Sequence, residues 1–207
     1  MKNKKLKIMR RILVIILIAI LLTLNLEHLV AQSIYEVKSH SLTVEGTSNL
    51  HDWTADVGDV RGVFNLKVDN GKIMDIENLS VKIGSQSLKG SRGSVMDTKI
   101  SEALNSKKHP EISFELRRVN SITENAGVFR LNTTGVLKIS GVSKNVNLTA
   151  TGRIAKGGEI EFSGNTKLKM SDFSVKPPTA MFGALTTGDE ITLNYKVVVG
   201  PSLVTEK

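Results

Sequence analysis

The side chains best suited to catalysis or metal binding after residue 31 are three histidines, His40, His51 and His109. No two of them stand two or four positions apart, so their spacing does not predict a zinc site. Asp52 follows His51 directly, but adjacent residues of a strand point to opposite faces, which argues against an acid–base pair. The chain also lacks cysteine, a nucleophile elbow and a glycine-rich phosphate loop. We therefore predict a protein that is not an enzyme and that holds no metal and no cofactor.

The first 31 residues are typical of a secretory signal peptide. Residues 1–11 contain six basic side chains, residues 12–24 are apolar except Thr23, and a polar stretch with Glu27 leads to the small residue Ala31. This order matches the three regions of a cleavable signal. The apolar run is shorter than the ~20 residues of a spanning helix, so we favour cleavage after Ala31 over an uncleaved membrane anchor. The prediction is a periplasmic or secreted protein with no stable membrane span after cleavage.

Without the signal peptide, the composition describes a single domain, residues 32–207, that is weakly basic. The net charge falls from +8 to +3, because six basic residues and one acidic residue lie in residues 1–31. No basic patch interleaved with aromatic residues remains, so nucleic acid is not a predicted partner. An exported chain without cysteine must be held together by its core. A domain of this length buries ~70% of the surface of its unfolded chain.

Apolar and polar residues alternate through most of this domain. The pattern is nearly unbroken from Phe129 to Met170, and it recurs before residue 84 and after residue 190. Alternation indicates antiparallel sheet with one dry face, and a long sheet with few helices closes into a barrel. We predict an all-β fold, an eight-stranded antiparallel lipocalin-like barrel. A change of phase at Gly58-Asp59 predicts a bulge that bends one strand.

Two segments interrupt the strands and are candidate lids. Met96, Ile100 and Leu104 recur at helical spacing, and Ser94 with Asp97 has the arrangement of a capping box. We therefore predict one amphipathic helix over residues 95–105. The second segment is a loop over residues 171–188, and loops of this length are usually functional or disordered.

The loop carries an apolar pair, Met181 and Phe182, near its middle. Two interpretations are open for this pair. The side chains could gate the mouth of a cavity, since methionine packs adaptably against varied ligands. Alternatively, they fold back onto the barrel as a satellite of the core.

Five glycines share the inward phase of the predicted strands: Gly46, Gly62, Gly135, Gly152 and Gly164. Small inward residues leave volume for a chain-like ligand, although glycine also relieves the curvature of barrel strands. The interior of eight strands is just wide enough to be filled by side chains or to hold one slender ligand. Five glycines in one phase favour a cavity.

Three segments in order resemble the YceI-like family, exported lipocalin-shaped barrels known for binding polyisoprenoid lipids. The first, residues 96–114, ends in the sequence KHPEISF, and the second, residues 135–146, reads GVLKISGVSKNV. The third, residues 162–191, contains LKMSDF and ends in GDEI. His40-Ser41 also fits the family pattern, but Val37 stands where many members have aspartate.

The resemblance implies that the barrel sequesters or carries a long-chain isoprenoid, an isoprenoid quinone or another lipid. We expect this partner to contact inward apolar side chains and the apolar pair of the loop: Trp53, Phe64, Phe114, Leu131, Leu137, Ile139, Val146, Leu148, Ile160, Phe162, Leu168, Met181, Phe182, Ile191 and Leu193. Two other classes stay open, a ligand-free envelope protein that acts by surface contacts or in stress and, less favoured, an enzyme for a small apolar substrate. A homodimer through edge strands or mouth loops is compatible with the sequence.

Overall fold

The computed structural model describes residues 32–155 and 157–202. The predicted signal peptide and its cleavage site lie outside these residues. The described part contains one α-helix, α1 (Ser94–Ala103), three short 3-10 turns and eleven strands. The strands are β1 (Gln32–Ser48), β2 (Trp53–Val57), β3 (Val60–Asp69), β4 (Lys72–Gly84), β5 (Leu88–Gly90), β6 (Glu111–Asn125), β7 (Val128–Ile139), β8 (Val142–Ile154), β9 (Ile160–Lys169), β10 (Thr179–Ala180) and β11 (Leu185–Pro201).

Eight of the strands form a closed antiparallel barrel in the order β1-β3-β4-β6-β7-β8-β9-β11, and β11 pairs with β1 to close it. β1 pairs with β3 through residues 32–36 and with β2 through residues 43–46. β2 and β3 therefore act as one barrel strand that is interrupted at Gly58 and Asp59. This architecture confirms the predicted eight-stranded barrel with a single helix.

The interruption at Gly58 and Asp59 keeps apolar residues inside the barrel on both sides of it. Ala55 and Val57 are buried before the break, and Val60 and Phe64 are buried after it, so the inward phase changes from odd to even. The freed backbone groups find partners in Ser87, because Gly58 N donates to its carbonyl (3.2 Å) and Asp59 N donates to its hydroxyl (2.9 Å). The predicted change of phase is present, but it takes the form of a hydrogen-bonded break between β2 and β3 rather than a bulge, because β1 pairs with both strands in one register.

Helix α1 begins differently from the prediction. Gly93 occupies the N-cap position, and no side chain caps the helix. The Asp97 carboxylate instead accepts a hydrogen bond from Gly90 N (2.8 Å) and pairs with Lys89 (3.4 Å). The predicted capping box is wrong, because Asp97 ties the helix to β5 rather than capping its own first turn.

The inward residues of one half of the barrel form a closely packed core. Leu66, Ile160 and Val199 are 0% exposed, and the rings of Phe64 and Phe162 stack with centroids 5.9 Å apart. These residues are neighbours across the pairings of β3, β1, β11, β9 and β8. The other members of this packed half are Tyr35, Ile73, Ile76, Phe129, Leu131 and Val197. We call this region the packed half.

Candidate functional site

The other half of the barrel encloses a cavity of about 400 Å³. Inward aliphatic side chains of the barrel strands form most of its wall. They are Val44, Ala55, Val57, Ile83, Leu88, Ile112, Leu137, Ile139, Leu168, Ile191 and Leu193. The volume lies within the ~300–1,000 Å³ that is usual for ligand sites. We call this region the open half.

Helix α1 covers part of the cavity with its apolar face. Met96, Ile100, Ala103 and Leu104 border the cavity, yet no residue of the helix is fully buried. A helix that packed onto a filled core would bury these side chains. The apolar face of α1 therefore faces space that a ligand can fill.

The segment after β9 closes another side of the cavity. β8 and β9 pair only as far as Ala150 and Gly164, and beyond that point the two strands separate. Phe173 and Val175 are 2% and 4% exposed, and both border the cavity together with Pro178 and Ala180. The predicted loop of residues 171–188 is thus an ordered wall, with β10 and the start of β11 inside it.

Tyr195 lies where the open and packed halves meet. Its hydroxyl donates a hydrogen bond to Thr149 O (2.9 Å), across the point where β8 and β9 separate. Burial raises the pKa of Tyr195 to about 12, because the charged phenolate loses its hydration. The hydrogen bond supplies a partner for a polar group that would otherwise be costly inside the barrel.

Each of the five inward glycines is covered by an aromatic ring. A Cβ atom at any of these positions would collide with that ring or press against it. The pairs are Gly46 with Trp53, Gly62 with Phe64, Gly135 with Phe114, Gly152 with Phe162, and Gly164 with Tyr195. The expectation that these glycines leave room for a ligand is therefore wrong. They hold rings against the barrel wall, an arrangement that stabilises strand glycines.

A few polar side chains border the otherwise apolar cavity. His51 is one of them, and its Nδ1 atom is buried without a hydrogen-bond partner among the described residues. Ser48 holds the backbone of His51 in place, since its hydroxyl donates to His51 O (2.6 Å) and accepts from His51 N (3.1 Å). Arg92, Lys99 and Lys169 also border the cavity, whereas no carboxylate of the described residues does. Any polar ligand group would meet these positions.

Six of the predicted ligand-contacting residues border the cavity: Trp53, Leu137, Ile139, Leu168, Ile191 and Leu193. Four others belong to the packed half, and they are Phe64, Leu131, Ile160 and Phe162. Phe114 covers Gly135 and does not border the cavity. Val146 and Leu148 lie on the inward face of β8, opposite Gly135 and Thr133 of β7, and they do not border the cavity either. As ligand contacts, all of these residues stay predictions.

Met181 and Phe182 do not fold back onto the barrel. Met181 is 72% exposed and Phe182 is fully exposed, and neither borders the cavity. The interpretation as a satellite of the core is therefore wrong. Their gating role stays a prediction.

The two predicted lids, the helix and the loop, do border the cavity, but the sequence analysis did not name their wall residues, such as Ile100 and Phe173, or the contribution of β5. The apolar face of α1 was a usable signal for the helix residues, because an amphipathic helix beside a barrel must cover something. Phe173 and Val175 carried no comparable signal, since they lie in a segment without regular alternation. Among residues 32–155 and 157–202, no cluster of His, Asp or Glu could hold a metal ion. No helix in that part of the chain has the length and apolarity needed to cross a membrane.

Comparisons with known proteins agree with this geometry. The model of the YceI-like domain family matches residues 32–199. The chain is similar to the YceI protein of Campylobacter jejuni, at 25% identity and a TM-score of 0.56 over 72% of this chain and 84% of that chain. The fold is also shared by BcnA of Burkholderia cenocepacia, at 18% identity and a TM-score of 0.56 over 77% of this chain and 95% of that chain.

A polyisoprenoid-binding domain from Saccharophagus degradans, implicated in plant cell wall breakdown, has the same fold. It is 9% identical to this chain, with a TM-score of 0.62 over 83% of this chain and all (100%) of that domain. Among the curated proteins compared with the chain, none matched.

Proposed function

Because the chain belongs to the YceI-like family, we propose that it is an exported protein that carries or sequesters a long apolar amphiphile in its open half. An isoprenoid or an isoprenoid quinone is the ligand class we favour. The polyisoprenoid-binding domain that shares the fold supports this choice. The order of basic, apolar and polar residues in residues 1–31 supports export to the periplasm or the medium.

One observation carries the proposal: the wall of the open half is mostly apolar, and side chains do not fill the space inside it. Strand residues, the apolar face of α1 and residues 173–180 all face the same cavity. Apolar side chains that face empty space forgo the contacts that close packing would give them. An oily ligand supplies those contacts and displaces water from the wall.

Affinity arithmetic indicates a long ligand. Micromolar binding needs ~8 kcal/mol, and larger ligands gain ~0.3 kcal/mol for each non-hydrogen atom. About 27 such atoms, or five to six isoprene units, would have to be bound. We expect the tail to enter the open half and the polar head group to stay near His51, whose buried Nδ1 has no partner among the described residues.

The lining offers binding rather than catalysis. Most of the wall is aliphatic, and the His51 imidazole has no carboxylate beside it along the cavity wall of the described residues. We therefore propose that the protein is not an enzyme. A homodimer stays an expectation. Few backbone groups are free to pair with strands of a second barrel, because the free strand edges in the described part belong to β5 and β10, which have three and two residues.

A fluorescence titration with an isoprenoid quinone tests the proposal. Trp53 is the only tryptophan of the chain and borders the cavity, so quinone in the open half should quench its emission. Ala103→Phe, which fills the cavity from α1, should weaken quinone binding about tenfold or more, since overpacking costs ~1–3 kcal/mol.

Thr98→Phe is the matched control, because Thr98 lies on the same helix but is exposed and away from the cavity. We expect this variant to bind quinone as the wild type does. Absence of quenching in the wild type, or equal binding by both variants, would contradict the proposal.

A further inference from the structure

The most exposed large apolar side chains of the described residues are Leu50, Val95, Met181 and Phe182. Leu50, Val95 and Met181 are 68%, 73% and 72% exposed, and Phe182 is fully exposed. By contrast, the other large apolar side chains that are exposed in this part of the chain do not exceed the 58% of Met74. We call the four residues the mouth cluster.

All members of the mouth cluster lie on segments that border the cavity. Val95 borders it directly, and Leu50 lies between two bordering residues, Ser48 and His51. The pair Met181 and Phe182 lies between Ala180 and Leu185, which also border the cavity. Three segments that border the cavity therefore each present an exposed apolar side chain to the outside.

A hydrogen-bonded side chain joins two of these segments. The Asn49 amide donates to Ala184 O (2.8 Å), and its carbonyl oxygen accepts from Thr186 N (3.0 Å). Asn49 N also donates to Thr186 O (3.1 Å). These bonds hold the turn that carries Leu50 beside the turn that carries Phe182.

The backbone of the β10–β11 turn holds Phe182 outward. Met181 and Phe182 have φ angles of 51° and 55°, followed by Gly183 at 91°. Two successive non-glycine residues in the left-handed region are unusual and costly. The turn closes with a hydrogen bond from Ala184 N to Met181 O (3.1 Å). The turn therefore has a costly backbone conformation in which the Phe182 ring is exposed. Packing of the barrel does not require this conformation.

Basic side chains lie beside the mouth cluster. Arg92, Lys99 and Lys169 border the cavity, and no carboxylate among the described residues does. Arg92 is exposed, whereas Lys99 pairs with Glu102 (3.2 Å) and Lys169 lies opposite Glu190 of β11. Exposed apolar side chains together with an exposed arginine suit the interface of a bilayer with anionic lipids.

We propose that the barrel docks on the surface of an anionic bilayer through the mouth cluster. Phe182 and Leu50 enter the interfacial layer, and Arg92 lies against the lipid head groups. The cavity then faces the membrane, so an apolar ligand passes between bilayer and barrel without crossing bulk water. This inference goes beyond the proposed function, since docking does not depend on which lipid the cavity holds.

Flotation with lipid vesicles tests the docking. The barrel is complete between β1 and β11, so the protein used begins at Gln32, which removes the apolar run of residues 12–24. We expect it to float with vesicles of phosphatidylcholine and phosphatidylglycerol, and more weakly with phosphatidylcholine alone. Leu50→Ser with Phe182→Ser should weaken vesicle binding about tenfold or more, because two anchoring side chains are lost.

Two further variants sharpen the test. Val63→Ser with Met74→Ser removes exposed apolar side chains away from the mouth, and it should bind vesicles as the wild type does. Arg92→Glu should weaken binding to the anionic vesicles about fivefold or more and leave binding to phosphatidylcholine unchanged. A wild type that does not float, or an equal loss in both serine pairs, overturns the docking proposal.

The same samples separate this proposal from the carrier function. Trp53 quenching by quinone without vesicles reports on the cavity alone, and Leu50→Ser alone should retain it, because Leu50 does not border the cavity. Quenching without flotation overturns docking and leaves the carrier function standing. Flotation without quenching overturns the carrier function and leaves docking standing.

Discussion

The packed half and the open half share strands β1, β4, β7, β9 and β11 but are filled differently. In the packed half, Phe64, Phe129 and Phe162 fill the interior, and neighbouring aliphatic residues are 0% exposed. In the open half, the inward strand positions carry mainly Val, Ile and Leu, and about 400 Å³ remains unfilled. Both halves show the same alternation. The alternation therefore defines which residues point inward, whereas residue size at each level decides whether the interior is filled.

The largest contrast should come from the same substitution at a buried and at an exposed phenylalanine. Phe129→Ala should destabilise the fold by ~4 kcal/mol, because Phe129 is 2% exposed and its removal leaves a cavity in the packed half. Phe182→Ala should leave stability nearly unchanged, since Phe182 is fully exposed. Urea unfolding measures both values. Similar losses in the two variants would contradict the close packing of Phe129 and the exposure of Phe182.

A pair of isoleucines separates stability from ligand affinity. Ile73→Ala in the packed half should cost ~3 kcal/mol of unfolding free energy and leave quinone affinity unchanged. Ile100→Ala on α1 should cost less than ~1 kcal/mol without ligand, because the side chain is only half-buried and alanine favours the helix.

The effects of the two isoleucine variants on quinone affinity should have the opposite order, with the larger loss in Ile100→Ala. Ile100→Ala removes apolar contact area from the cavity wall, so quinone affinity should fall about tenfold. Unfolding in urea with and without quinone provides both readouts. An Ile100→Ala variant with unchanged affinity would remove α1 from the ligand site.

A smaller effect is expected at the boundary between the halves. Because the pKa of Tyr195 is raised to about 12 in the folded state and is near 10 when unfolded, the unfolded chain loses its proton first as pH rises. This contribution to stability is fully present below pH 10 and is lost as the pH rises to about 12. The loss should be ~2 kcal/mol.

Tyr195→Phe is the control for this pH dependence. It should reduce the decline in unfolding free energy between pH 10 and pH 12, leaving the part that comes from Tyr35, Lys67 and Lys167, whose pKa values are also raised. A decline of the same size in both proteins would show that Tyr195 is not buried as described.

The alternation was sufficient to predict the barrel, and even the change of phase at Gly58, because one buried face imposes a period of two on every strand. It could not separate Leu131 from Leu137, since both point inward from β7. Leu131 packs against the core, and Leu137 borders the cavity. The difference depends on which residues of other strands lie at the same level. That information is long-range and appears only when register is known.

Local chemistry misled the prediction at two places. Asp97 has the spacing of a capping residue, but its carboxylate bonds to Gly90 of β5, a contact that no local pattern reveals. The inward glycines were interpreted as empty space, whereas aromatic rings from nearby inward positions cover them. In both cases, a contact that forms only in the folded chain decides what the residue does.

The central claim is that the open half holds a long apolar ligand, and native mass spectrometry of the protein purified from its own host tests it most directly. We expect a fraction of the protein to carry one lipid, released on activation, with a mass in the range of an isoprenoid of five or more units. Protein of bare mass, which also takes up no added isoprenoid quinone, would contradict the claim.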